Sequence, residues 1–246
     1  MNHNTNILIN EIYNLLRQKT IKDIIDLETD NIYNKSAISV IVKKYINNNS
    51  LYNLDVLKDY NIVIKFIPVN PTYKSYEAMS FSNTSLYNIL FEEWESSDIL
   101  ERAALRNQLN YNYLFLPIIK NKVKGVYNNY YDWKIGDLSY WCPDINELEL
   151  IGKEWNEAKD IIKEGVKLER VKHGQNYRTR NNLPKQSETF FIHLRPHAKN
   201  SFDYDLPYRE YTNGKVEITK QSFWLNKKFI NLLLDKYKWK TNLREE

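Results

Sequence analysis

Cysteine is nearly absent from this chain of 246 residues, with Cys142 standing alone. That excludes a disulfide framework and any multi-cysteine zinc site. The flanking aromatics of Tyr140-Trp141-Cys142-Pro143 favour a buried small apolar side chain there over a reactive thiol, which needs a nearby cation. Six glycines and seven prolines exclude collagen-like and low-complexity classes. No apolar run approaches the roughly 18 residues of a membrane helix, so no span and no membrane partner are expected. Residues Met1 to Thr5 are polar and lead into an amphipathic stretch rather than a signal-peptide core, and the expected compartment is the cytoplasm. The four histidines are scattered. There is no Walker loop, no G-x-G-x-x-G and no H-E-x-x-H, so the chemistry of those motifs is not expected.

What is present is enough apolar sequence, 42% hydrophobic residues, to build a core. The net charge of +4 is compatible with nucleic acid but equally ordinary for an enzyme. Helical spacing of Ile7, Leu8, Ile12, Leu15 and Leu16 predicts a helix over about 6–18. A second short helix follows Thr20 and carries Ile21, Ile24, Ile25 and Leu27. A third runs from about Ser36 to Ile46, broken by Asn47-Asn48-Asn49. Beyond Asn61 the pattern changes. Strands are predicted at Ile62–Pro68, Tyr76–Phe81, Tyr111–Pro117 and Phe190–Leu194, with a strand or hairpin over Val123–Trp133 turning at Tyr-Asn-Asn-Tyr. Helices are predicted at Ser85–Glu95, Asp144–Glu164 (Leu148, Leu150, Ile151, Trp155, Ile161 and Ile162 apolar) and Trp224–Tyr237. The order implies a mixed α/β domain over 1–246, with a helical N-terminal lobe at 1–50 and an α/β core at 51–246.

Three segments carry candidate chemistry. Leu194-Arg195-Pro196-His197-Ala198-Lys199-Asn200 sets Arg195, His197 and Lys199 in a short loop stiffened by Pro196. Such an arginine can bond both acceptors of a guanine edge; the plainer alternative is a surface ion pair. Thr219 to Lys228 holds Lys220, Gln221, Trp224 and Lys227, with cations on the first turns of a helix. They oppose the helix dipole there, which suggests an anionic partner such as phosphate; the plainer alternative is solvated lysines beside a core Trp. Residues 167–180 gather Lys167, Arg170, Lys172, His173, Arg178 and Arg180 around Tyr177, either as a phosphate-lining cluster or as a solvated face.

These residues resemble a known family. Leu194-Arg195-Pro196-His197-Ala198-Lys199-Asn200 is similar to the Arg-Pro-Lys-Ala loop of the MutH mismatch-repair endonucleases. Glu154 to Gly165 resembles the preceding helix, and Ser222 to Phe229 the closing Gly-Phe-Tyr-Leu-Lys-Lys-Asn-Phe segment. Glu77-Ala78-Met79-Ser80-Phe81, Glu92-Glu93-Trp94-Glu95 and Thr219 to Trp224 resemble the C-terminal domain of the related GATC-cutting type II restriction enzymes. The resemblance covers roughly residues 20–235. It implies a restriction-endonuclease-like, MutH-type mixed sheet flanked by helices, and double-stranded DNA with the site GATC as partner.

Active members carry Asp, six residues, Glu, one residue, Lys. Here Lys65 keeps the lysine, whereas Val63 stands at the glutamate, Val56 at the aspartate and Lys43 at an upstream helix glutamate. Valine offers no oxygen to Mg²⁺, and a lysine repels it. The resemblance therefore implies a catalytically silent DNA-binding domain without a cofactor, allosteric or targeting partner of a separate catalytic subunit. Its expected DNA contacts are Arg195, Pro196, His197, Lys199, Lys220, Gln221, Trp224, Lys227, Arg178 and Arg180. Two alternatives stand beside it: an active Mg²⁺-dependent GATC endonuclease using Asp55, Asp59, Glu77 and Lys65, and an inert structural relative that has lost DNA binding.

Overall fold

A computed structural model of the chain describes residues 3–26 and 36–239. Leu27, expected at the end of the second short helix, lies outside the described residues. In chain order the first elements are α1 (His3–Leu16), α2 (Ala37–Asn49), α3 (Val56–Asp59), β1 (Ile62–Val69), β2 (Met79–Thr84), α4 (Leu86–Phe91) and α5 (Ala104–Gln108). There follow β3 (Asn112–Ile119), β4 (Lys122–Val123), β5 (Val126–Tyr127), β6 (Lys134–Ile135), β7 (Ser139–Trp141) and α6 (Ile145–Glu164). The last are β8 (Leu168–His173), β9 (Asn176–Asn181), β10 (Ile192–Pro196), α7 (Leu206–Tyr211), β11 (Gln221–Leu225) and α8 (Lys227–Lys236). The fold is mixed α/β. No helix among the described residues is long and apolar enough to cross a membrane. The chain divides into two compact units, one from 1–77, 111–142 and 231–246, the other from 78–110 and 143–230.

The first unit is built on a mixed sheet. β1 runs parallel to β3, pairing Ile62 with Asn112 through Val69 with Ile119. β7 and β6 pair antiparallel with the other edge of β3. The two-residue period of a strand sends Ile62, Leu114, Leu116 and Ile118 to one face. There they share a core with Leu8, Ile9, Ile12 and Leu16 of α1 and Ile41, Val42 and Ile46 of α2. The helices predicted as an N-terminal lobe thus bury their stripes against this sheet. Helix α2 does not break at its asparagines but includes them. Asn49 Nδ2 donates to the Tyr45 carbonyl at 2.9 Å, and Asn47 Oδ1 accepts from the Leu54 amide at 2.9 Å, so these side chains serve the helix end.

Both predicted strand-ending prolines lie inside strands. Pro117 faces the gap between β7 and β6, where its carbonyl accepts from the Gly136 amide at 2.8 Å, so its missing N–H interrupts no ladder. Pro68 accepts from the Tyr76 amide at 3.0 Å on the edge of β1 away from β3, the side on which a strand tolerates proline. The hairpin of 123–133 turns at Lys124 and Gly125, both at positive φ, not at Tyr-Asn-Asn-Tyr, because glycine takes that backbone most readily.

The second unit holds an antiparallel sheet of order β10-β11-β2. The predicted helix at Trp224–Tyr237 is here a strand, a one-residue joint and a helix. Residues Gln221–Leu225 pair on both sides, with β10 and with β2, and Asn226 is the joint before α8. Its amide donates to the Phe191 carbonyl at 2.8 Å and its Nδ2 to Thr189 Oγ1 at 2.8 Å. The predicted strand at Tyr76–Phe81 begins and ends three residues later, at Met79–Thr84.

Helix α6 starts as its capping box dictates. Asp144 Oδ1 accepts from the Glu147 amide at 2.8 Å, and Glu147 Oε2 from the Asp144 amide at 3.2 Å. Its buried stripe is Leu148, Ile151, Trp155, Ala158 and Ile162, at alternating spacings of three and four. Leu150, expected in that stripe, is exposed. Glu154 holds the start of β10, accepting from the amides of Phe190 at 2.6 Å and Ile192 at 2.7 Å. Gly152 lets α6 approach Trp94: a Cβ there would stand 2.6 Å from the Trp94 ring carbon Cδ1. Gly152→Ala should destabilise the protein by about 1–3 kcal/mol through overpacking, despite the gain in helix propensity. Urea unfolding checks this, and an unchanged midpoint would mean that Trp94 yields freely.

Candidate nucleic-acid interface

The register of the second sheet sorts its side chains. Ile192, Leu194, Phe223 and Leu225 fall on one face and are buried. His193, Arg195, Ser222 and Trp224 fall on the other. Arg195 lies on the last turn of pleat in β10, not in a loop, and Pro196 closes the strand opposite Gln221. The Arg195 guanidinium sits over the Trp224 ring, 4.4 Å from its centre. Among the described residues no carboxylate pairs with it. His197, the next residue on that face, stacks edge-on to Trp224 at 5.3 Å. Its Nδ1 is 2.9 Å from Ser222 Oγ, Ser222 Oγ donates to Asn83 Oδ1 at 2.9 Å, and Asn83 Nδ2 donates to the His197 carbonyl at 3.3 Å. Asn83 is not among the DNA contacts expected from the sequence. Its role depends on pairing with Ser222, which lies beyond the strand predicted to end at Phe81.

The remaining predicted contacts are dispersed. Lys199 is exposed, its amide bonded to Asp203 Oδ2 at 3.0 Å. Lys220 precedes β11 instead of sitting in a helix, and its Nζ pairs with Asp203 Oδ1 at 2.7 Å. A phosphate would have to compete with that pair. Gln221 is fully buried on the face away from Arg195, its Nε2 donating to the Thr219 carbonyl at 2.7 Å. Lys227 does open a helix, as the first residue of α8. The basic segment 167–180 is a hairpin, β8 against β9, and the pleat divides its cations. Arg178 and Arg180 share one face with Val171 and Glu169; Arg170 and Lys172 share the other with Tyr177 and Thr179. Arg170 stacks on Tyr177 at 4.7 Å, and a cleft of about 740 Å³ is lined by Arg170, Tyr177 and Thr179 from that face, by Arg178 from the other, and by Pro196 and Thr219. The four cations therefore do not form one row.

In the first unit, Lys65 shares its strand face with Val63, Tyr113 and Phe115. Trp141 pairs with Tyr113 across β7, and the three rings stack at 5.3 to 6.1 Å. Burial, with the Lys43 charge acting in the same direction, lowers the Lys65 pKa below its ordinary value. The carboxylates considered with Lys65 stand apart. Asp55 pairs with Lys58 at 2.6 Å on an exposed turn. Asp59 lines a cavity with Tyr60, Asn61 and Cys142. Glu77 lines another with Phe66, Pro68 and Lys120, and Phe66 and Pro68 belong to the opposite face of β1. Cys142 is exposed, not buried as expected, because β7 ends at Trp141.

No family model matches the sequence. A curated protein does: the type II restriction enzyme Sau3AI of Staphylococcus aureus is 27% identical over 215 residues. The similarity relates the chain to restriction enzymes. The match covers 79% of this chain and 42% of the relative, so the chain spans less than half of that enzyme's length.

The MutH-type resemblance carries Mg²⁺ with it, and the residues beside Lys65 do not fit that ion. Magnesium needs oxygen ligands in near-octahedral array. The side chains paired around Lys65 on that face are Val63, Tyr113, Phe115, Trp141 and Ser139, none of them a carboxylate, and Lys43 adds a second positive charge near Lys65. Among the described residues no three His, Cys, Asp or Glu side chains gather to hold a metal.

On the polar face of the second sheet, His193 is buried opposite Trp224, and its Nδ1 has no hydrogen-bond partner. Burial, assisted by the Arg195 charge, lowers its pKa to about 4, so the ring is neutral at pH 7. The unfolded chain takes up this proton near pH 6.5 and the folded chain only near pH 4. Stability from this residue is therefore complete above about pH 6.5 and lost as pH falls to about 4, by up to about 3 kcal/mol. Unfolding between pH 4 and 7.5 should show a flatter pH dependence for His193→Gln than for the wild type. Identical slopes would contradict this assignment.

Proposed function

We propose that this chain is a MutH-like, restriction-endonuclease-like domain that binds double-stranded DNA at GATC without cutting it. It acts in the cytoplasm as the allosteric or targeting partner of a catalytic subunit in a type II restriction system. The observation that carries the reading is the Arg195–Trp224 stack. Stacking holds a guanidinium without using its in-plane N–H groups, and with no carboxylate partner among the described residues those groups are left for a guanine O6 and N7. Among the described residues Arg195 forms no surface ion pair, the plainer alternative for it. The similarity to a restriction enzyme, over less than half of its length, supports a DNA ligand. Val63, Lys43 and the aromatic face beside Lys65 support catalytic silence.

Two measurements test it. Arg195→Ala should cost about 1–3 kcal/mol on a GATC duplex and much less on an unrelated duplex; equal losses would reduce Arg195 to a phosphate contact. Purified chain with Mg²⁺ should leave GATC duplex intact. Specific nicking, abolished by Lys65→Ala, would overturn catalytic silence in favour of the endonuclease alternative.

A further inference from the structure

Hydrogen-bond logic fixes which nitrogen of His197 carries its proton. Asn83 Nδ2 donates to the His197 carbonyl at 3.3 Å. A carbonyl only accepts, so the Asn83 amide is oriented and Oδ1 is the atom that faces Ser222. Oδ1 in turn only accepts, so Ser222 Oγ donates to it, at 2.9 Å. A hydroxyl has one hydrogen. Toward His197 Nδ1, at 2.9 Å, Ser222 can therefore only accept, and Nδ1 carries the hydrogen. In the neutral imidazole Nε2 is then bare and an acceptor. His197 is exposed, and no partner occupies Nε2 among the described residues.

We infer that His197 Nε2 accepts a hydrogen bond from the exocyclic amine of an adenine or cytosine beside the guanine assigned to Arg195. The inference rests on the DNA-binding reading above. In the major groove adenine N6 and cytosine N4 are donors, while guanine and thymine present acceptors there. Where the resembled loop has a lysine, which only donates, this chain has an imidazole pinned to accept. The ring of three hydrogen bonds holds it beside Arg195, so the two residues read opposite senses of the groove: one donates, the other accepts.

Two measurements on the full chain test this. Long-range ¹H–¹⁵N NMR of the free protein at pH 8, where histidines are generally neutral, should show His197 protonated at Nδ1; protonation at Nε2 would overturn the inference with no DNA present. Binding is then measured at the same pH on three duplexes: GATC, GATC with adenine replaced by purine, and GATC with cytosine replaced by 2-pyrimidinone. Each analogue lacks the exocyclic amine. One of them should weaken wild-type binding about tenfold while leaving His197→Ala indifferent. Loss in the purine arm assigns adenine N6, and loss in the pyrimidinone arm assigns cytosine N4. If the wild type prefers GATC yet tolerates both analogues, the inference falls and the DNA reading stands. If it has no preference for GATC, both fall.

Discussion

The pairing of Gln221–Leu225 between two neighbouring strands governs the second unit. A central strand has no free choice of face: its apolar residues, Phe223 and Leu225, must point to the core beside Ile192 and Leu194. Ser222 and Trp224 are thereby turned to the other side, with His193 and Arg195 opposite them. A slip of one residue would exchange the two sets, burying a guanidinium and exposing a core. Such a slip costs several buried side chains at about 1.5–3 kcal/mol each. The position of Arg195 over Trp224 is thus a consequence of core packing on the far face. Further anchors hold it: Glu154 bonds the entry of β10, and Asn226 ends β11 on Thr189.

The sheet of the first unit obeys the same period with a different outcome. Its helix-facing side carries the aliphatic core, and its other side carries Val63, Lys65 and stacked rings. A carboxylate-x-lysine pattern would place an oxygen ligand beside the lysine on that face; a valine places a hydrocarbon there. Lys65 is left part-buried near another cation, which is a poor setting for a metal and an unremarkable one for a lysine stem on apolar surface.

Much of this was legible in the sequence where local rules and packing agree. The helical spacing of Leu148, Ile151, Trp155 and Ile162 announced α6, and the β-branched and aromatic runs announced β1 and β3. The failures have particular causes. Phe223-Trp224-Leu225 and the apolar residues of α8 form one apolar stretch whose short strand is indistinguishable from a helix turn by periodicity alone. Pro68 and Pro117 sit where their missing N–H groups face an edge or a gap, which only the pairing reveals. The β8–β9 hairpin was read as a cluster of charge because its alternation places cations on both faces. Arg195 and His197 were visible as residue types in a short motif. Asn83 was not, because its role is defined by a partner 139 residues away.

On the function proposed above, sequence-specific DNA recognition resides in the polar face of β10 and β11 and needs no metal. The most direct test is fluorescence anisotropy of a GATC duplex and a duplex of permuted site, both in EDTA at moderate salt. The account predicts a clear preference for GATC, at least about tenfold from one bidentate guanine contact, unchanged when Mg²⁺ replaces EDTA. Equal affinity for the two duplexes, or a preference that appears only with Mg²⁺, would contradict it.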